Sequence, residues 1–196
     1  MKTYLIPMLM TAAISISACE TGYGESAPNK AEAKKEANME IAQSPADLND
    51  LEIAHVAYTA DNIDIRYANI ALKRSSNPDI HAFAQTMIRD HKAVNELALA
   101  LLDKLGASAQ DNFLSQTLNK NAEPIIAKLE SLSGKEFDIY YASNELAYHK
   151  AVNDLVENSF IPNIENAEVK ELFEVGLGIF KGHQEHAQMT VNKLGK

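Results

Sequence analysis

The chain has 196 residues, a formal net charge of −9, one cysteine and no tryptophan. An acidic chain without a basic patch argues against nucleic-acid binding, because that binding depends on neutralising phosphates. A single cysteine excludes a disulfide within the chain, and the low count of glycine (8) and proline (6) favours helices over a β-sandwich. The length suffices for one domain with a substantial core.

The N-terminus carries the pattern of a bacterial lipoprotein signal peptide. Lys2 precedes an apolar run over residues 4–18, which has the length of a signal-peptide core and is too short to span a bilayer. The run ends in Ile16-Ser17-Ala18-Cys19, which resembles the lipobox that lipoprotein signal peptidase cleaves before a lipidated cysteine. An ordinary signal peptide that ends near a cysteine is the alternative. We therefore predict a signal peptide over residues 1–18 and lipidation of Cys19, which would leave no thiol for catalysis or metal binding.

Residues 19–44 are predicted to form a lipidated, flexible tether. They are rich in small and charged residues, and they cannot bury enough apolar surface to offset the entropy of ordering the chain. Glu20 follows the cysteine, and by resemblance to enterobacterial sorting, where Asp at that place retains lipoproteins in the inner membrane, it favours the outer membrane. The prediction is a periplasm-facing protein of the bacterial cell envelope whose membrane contact is the lipid on Cys19. The sequence names no protein partner.

Four long helical patterns follow the tether. Ser44 and Pro45 are typical of a helix start, Ser133 and Glu136 have the spacing of a capping box, and Ile161-Pro162 is expected to end the third helix. A middle segment of about 25 residues holds two short amphipathic pieces on either side of Pro124. Two short connections and one long one predict an all-α fold for residues 45–196, a ferritin-like four-helix bundle with a long crossover between helices 2 and 3. The four predicted helices run from about 45 to 74, 78 to 105, 133 to 160 and 166 to 194.

Ionisable side chains fall on the apolar faces of all four predicted helices. At 100° per residue, the apolar stripe of each helix contains at least one of them. At a rise of 1.5 Å per residue, Asp64 and His91 both lie about 20 Å from the turn that joins the first two helices. Glu145 and His183 are nearly level with each other in the second pair. If the two pairs pack with these levels aligned, one layer collects the candidate metal ligands Asp64, His91, Glu145, His149, His183 and His186.

Burying such groups without partners costs several kcal/mol, so they must either pair with each other or bind a metal ion. A network of Asp–His and Glu–His hydrogen bonds that fixes helix register is the alternative to a metal site. The spacings His183-x-x-His186 and Glu145-x-x-x-His149 are weak evidence alone, because such pairs are common on solvated helices. Asp90 beside His91 could orient a neighbour or be exposed.

The stretch Phe83-Ala84-Gln85-Thr86-Met87-Ile88-Arg89-Asp90-His91 resembles the DUF4142 family of exported, lipoprotein-like bacterial proteins, which carry FA-x-x-M-x-x-DH in their second helix. Further similarity lies in Leu132-Ser133-Gly134-Lys135-Glu136-Phe137-Asp138-x-x-Tyr141, in Glu145-x-x-x-His149 and in a late histidine such as His183 or His186. The resemblance covers about residues 48–194. It implies a ferritin-like bundle in the cell envelope and leaves the activity undefined.

Ferritin-like di-iron proteins use a glutamate from each of two helices and Glu-x-x-His from each of the other two. Here Ile88 precedes His91 by three residues and His183 precedes His186, so neither helix offers that glutamate. A histidine-rich set suits Zn²⁺ or Cu²⁺ at least as well as iron. We predict a non-catalytic envelope lipoprotein that binds a transition metal (Zn, Cu or Fe) for sequestration or stress protection. The alternatives are a di-metal oxidoreductase and a purely structural or interaction module with a buried polar layer.

Overall fold

The computed structural model describes residues 44–195, and every regular element among them is helical. The predicted signal peptide, the lipidation site Cys19, Glu20 and the tether up to residue 43 lie outside the described residues. The prediction of an all-helical fold is confirmed. The five long helices are α1 (Asp50–Arg74), α2 (Pro78–Lys104), α3 (Phe113–Ser131), α4 (Gly134–Leu155) and α5 (Ala167–Leu194).

The first helix begins one turn later than the sequence predicts. Ser44 caps only a short 3₁₀ turn, Pro45–Asp47, after which Leu48 takes an extended backbone and buries its side chain. Asn49 is the true N-cap of α1, since its side chain accepts hydrogen bonds from the second and third amides of the helix at 2.9 and 3.1 Å. The Glu52 carboxylate accepts a hydrogen bond from the main-chain N–H of Asn49 at 3.0 Å and completes a capping box. The long helix therefore begins after Asn49 rather than after Ser44, and the extended residue between the two caps, Leu48, buries its side chain in the core.

The middle segment is one continuous helix, α3, rather than the two short pieces expected. Pro124 lies inside it. A proline removes one intrahelical hydrogen bond, but the burial of Ala122, Ile126 and Leu129 around it compensates for that loss. α3 packs against α1, where Arg66 donates to Glu123 at 3.0 Å.

The ends of α4 also differ from the prediction. Ser133 makes no side-chain capping hydrogen bond, so the predicted capping box is absent, and Gly134 instead opens the helix with φ +57°. At the other end the chain stays helical through a π turn, Val156–Phe160, and a last turn, Ile161–Asn163, so Ile161-Pro162 does not end the helix. The π turn buries Val156 and Phe160.

The helices pack as two hairpin pairs, α1 with α2 and α4 with α5, and α2 also contacts α5 while α1 contacts α4. One apolar cluster includes Tyr67, Phe83 and Tyr141, and another includes Ile53 and Phe160. On each of these four helices the two clusters occupy opposite ends, and between them lie the buried residues Asp61, Asp64, His91, Glu145, His149 and His183. Among residues 44–195, no helix combines the length and the apolar character that crossing a bilayer requires. The fold thus places a polar layer between two apolar cores.

Candidate metal centre

Five of the six sequence-predicted ligands meet in the polar layer. α1 contributes Asp64, α2 contributes His91, α4 contributes Glu145 and His149, and α5 contributes His183. All five are buried, with exposed fractions between 0% for Glu145 and 4% for His183. They fall into two overlapping trios, His91–His149–His183 and Asp64–Glu145–His149, and within each trio the ligand atoms lie within 4.8 Å of one another.

The sixth residue, His186, lies outside this cluster. Its half-buried ring packs against Phe83 with 4.7 Å between centroids. His186 lies three residues after His183, about 4.5 Å further along α5, where its ring reaches the apolar cluster that includes Phe83. The structure therefore does not bring it together with the other five.

His91 is held between two carboxylates of α1. Its Nδ1–H donates to Asp61 Oδ1 at 2.8 Å, and its Nε2 lies 2.9 Å from Asp64 Oδ2 without the alignment of a hydrogen bond. The face of the ring stacks on Phe180, with centroids 4.6 Å apart and planes inclined by 15°. These contacts fix the ring and aim Nε2 into the cluster.

The other two imidazoles are anchored in the same way. His149 Nδ1–H donates to the main-chain carbonyl of Glu145 at 3.0 Å, which leaves Nε2 at 3.4 Å from Asp64 Oδ2. His183 Nε2–H donates to Asp90 Oδ2 at 3.0 Å and leaves Nδ1 buried inside. An outer hydrogen bond that fixes one ring nitrogen and frees the other is what metal-ligating histidines use.

Several buried polar atoms of the cluster have no hydrogen-bond partner among residues 44–195. They are both carboxylate oxygens of Asp64 and of Glu145, Nε2 of His91 and of His149, and Nδ1 of His183. Buried polar atoms are nearly always paired, because an unpaired one keeps its full desolvation cost. Within each of the two trios these atoms lie within 4.8 Å of one another, so the layer could hold a metal ion.

The electrostatics divide the three imidazoles into one that is protonated and two that are neutral at pH 7. Burial opposes a charge on His91, but Asp64 and Asp61 raise its pKa to about 10. Burial likewise opposes ionisation of Asp64, yet His149 and His91 hold its pKa below the ordinary value. Burial lowers the pKa of His149 and lowers that of His183 to about 4, so their lone pairs are available at neutral pH.

Glu145 behaves differently from Asp64. Burial, reinforced by the adjacent Asp64 charge, raises the pKa of Glu145 well above its ordinary value. A divalent ion would favour the ionised form of both carboxyl groups, because it supplies the positive charge that the surroundings lack.

Two of the distances between inward atoms are close to the spacing of ligands around one metal ion. At bond lengths of 2.0–2.1 Å, the edges of a tetrahedron are about 3.3 Å. Asp64 Oδ2 lies 2.9 and 3.4 Å from the Nε2 atoms of His91 and His149. Three imidazoles with carboxylate oxygens and no thiolate form a donor set for Zn²⁺, Cu²⁺ or Fe²⁺.

Two carboxylates support the cluster from outside. Asp61 was not among the predicted site residues, although its spacing of three from Asp64 places both on one face of α1. Asp90 orients His183, which is the first of the two roles considered for it, and it also pairs with exposed Arg89 at 2.6 Å. Both act by holding an imidazole.

An all-helical fold with a buried layer of three histidines and several carboxylates defines a class of helical proteins equipped to hold a cation. Within that class, the chain belongs to the family described as domain of unknown function (DUF4142), whose model matches residues 32–190. The family resemblance seen in the sequence is therefore confirmed. A search of curated proteins found no match, and neither did a search of solved structures.

Proposed function

We propose that this protein binds one first-row transition-metal ion among Asp64, His91, Glu145, His149 and His183, and that it sequesters the ion or protects the envelope from metal stress. The observation that carries the proposal is the shared arrangement of the three imidazoles. Each has one nitrogen anchored by an oxygen and the other buried without a hydrogen-bond partner among residues 44–195. In this proposal α1, α2, α4 and α5 form a ferritin-like four-helix bundle, with α3 in the long crossover.

A purely structural role is the second candidate, favoured by the charged His91–Asp64 pair and its Asp61 support. A layer that served only to fix helix register would satisfy its members internally, since buried pairs stabilise little unless their remaining hydrogen bonds are made. The inward nitrogens of His149 and His183 do not follow that expectation, because neither has a hydrogen-bond partner in the described part of the chain. The metal proposal accounts for these two lone pairs and the structural one does not.

The ligand set favours holding an ion over oxidation chemistry. Glu145 and His149 are four residues apart, and no Glu-x-x-His pair lies in the cluster. The fixed imidazoles bind and orient the ion, and the two apolar cores on either side exclude water from it. We therefore propose a non-catalytic role. Oxygen consumption on addition of Fe²⁺ would instead indicate a di-metal oxidoreductase.

The experiment uses the full chain without a histidine tag, purified in mild detergent. After incubation with Zn²⁺, Cu²⁺ or Fe²⁺ and removal of free ion, we expect about one bound ion per chain by elemental mass spectrometry. His91→Ala should lose it, and His186→Ala, outside the cluster, should keep it. If wild-type protein binds no stoichiometric metal, the metal proposal is wrong and the purely structural role is supported. Oxygen uptake on Fe²⁺ addition would favour the oxidoreductase.

We further propose that the lipid on Cys19 anchors the protein to the envelope, in the outer membrane and facing the periplasm. The lipobox sequence and the polar stretch that follows it support this placement. Cys19→Ser should abolish incorporation of labelled fatty acid and release the chain from the membrane fraction. Equal labelling of wild type and variant would contradict the anchor.

A further inference from the structure

A second cavity, which we call the apolar cavity, lies beside the polar layer. Its volume is about 60 Å³, and small residues from three helices line it: Ala54 and Ala57 of α1, Ala98 of α2 and Gly176 of α5. Protein interiors are otherwise close-packed, and voids larger than a water molecule are few. Small side chains facing one another on neighbouring helices are the reason that this space stays open.

The apolar cavity adjoins the candidate metal centre. Ala60, Asp61, Val152 and Phe180 line it, and the same four residues line the narrow pocket that contains Asp64, His91 and His149. The Phe180 ring stacks on His91, so a single side chain separates the cavity from the imidazole. A molecule in the cavity would lie one ring thickness from His91.

Size and lining define what the cavity can hold. One water needs roughly 10–15 Å³ of such space, so the cavity has room for several, but its lining is almost wholly aliphatic and aromatic. The Asp61 carboxylate at its edge already accepts from His91. Tyr58 and Asn95 are the cavity's other polar lining residues, so most of the wall offers a water no hydrogen-bond partner, whereas an apolar molecule would regain the dispersion contacts that a void forfeits.

We propose that the apolar cavity binds a small, uncharged, apolar molecule, from the size of dioxygen to that of xenon, and holds it against the His91 side of the polar layer. This binding depends on the shape and apolarity of the cavity and needs no metal ion. It goes beyond the proposed metal function and can fail or succeed independently of it.

Gly176 offers a direct way to close the cavity. A Cβ added there would contact Phe180 Cε2 at 3.8 Å and Val94 Cγ1 at 3.9 Å, which are both cavity walls, so a larger side chain extends into the space. Gly178, on the same helix, has nothing within 4 Å of its Cβ position and is exposed. Gly176→Leu and Gly178→Leu therefore form a matched pair with the same gain in helix propensity.

The test is an NMR titration of the metal-free full chain with xenon, followed on the methyl signals. We expect saturable shifts in wild type, weakened at least about tenfold in Gly176→Leu and less than about twofold in Gly178→Leu. Ala98→Leu, which fills the cavity from α2, replaces Gly176→Leu if that variant fails to fold. Wild type without saturable shifts, or a filled variant that binds as wild type does, would overturn the inference.

Zinc titrations of the same samples separate the two proposals. Gly176→Leu lies outside the cluster and should bind zinc as wild type does. Xenon binding without zinc binding would contradict the metal function alone, and zinc binding without xenon binding would contradict the cavity inference alone.

Discussion

Removing His183 should weaken metal binding much more than removing His186, which lies three residues further along α5. His183 supplies one of three imidazoles, and its ring is already oriented by Asp90 at 3.0 Å. Because losing an outer-shell partner alone costs 10–100-fold in affinity, losing a whole ligand should cost at least about 100-fold, or about 2.7 kcal/mol. His186 packs on Phe83 outside the cluster, so His186→Ala should change affinity less than about twofold.

The assay is competition for Zn²⁺ against a chelator of known affinity, at fixed pH, with His183→Ala, His186→Ala and wild type measured together. Thermal unfolding of the metal-free proteins is the control, since both variants must be folded for the comparison to hold. Equal losses in the two variants, or an unchanged affinity in His183→Ala, would refute the assignment of His183 as a ligand.

Three further changes have measurable expected outcomes: one at Asp90, one in the pH dependence of zinc binding and one at Ser75. Asp90→Asn should weaken zinc binding about tenfold, because it removes the charge that orients its imidazole partner, and an unchanged affinity in the chelator assay would contradict this. Zinc binding at pH 7 should release about one proton from His91, whose pKa is about 10, and the raised pKa of Glu145 acts in the same direction, so zinc affinity should rise with pH. Calorimetry in buffers of different ionisation enthalpy measures the release, and no release would contradict the prediction. Ser75→Ala should destabilise the fold by about 1–3 kcal/mol in urea unfolding, because it removes the 2.6 Å hydrogen bond to buried Asp138, whereas a neutral effect would show that this bond is dispensable.

The alignment of Asp64 with His91 and of Glu145 with His183 could be predicted because it depends on local geometry. Helical rise and the position of a hairpin turn fix the height of a residue, and the apolar stripe fixes its face. These rules hold along α1, α2, α4 and α5, and the structure places all four residues in one layer.

The remaining features depend on tertiary packing. Pro124 reads as a helix break in the sequence, and only the burial of neighbouring residues against the core shows why α3 continues through it. His186 shares the His183 motif, yet its contact with Phe83 on another helix decides that it faces away from the cluster. Asp61 could have been found from its spacing of three from Asp64, but its partner His91 comes from α2.

Anomalous diffraction from crystals of the zinc-incubated protein, recorded at the zinc absorption edge, tests the central claim most directly. One strong peak is expected within about 2.0–2.2 Å of Nε2 of His91, Nε2 of His149 and Nδ1 of His183, with a carboxylate oxygen of Asp64 or Glu145 in the remaining position. A zinc-incubated crystal with no peak among these atoms, or with zinc bound only at surface side chains, would contradict it.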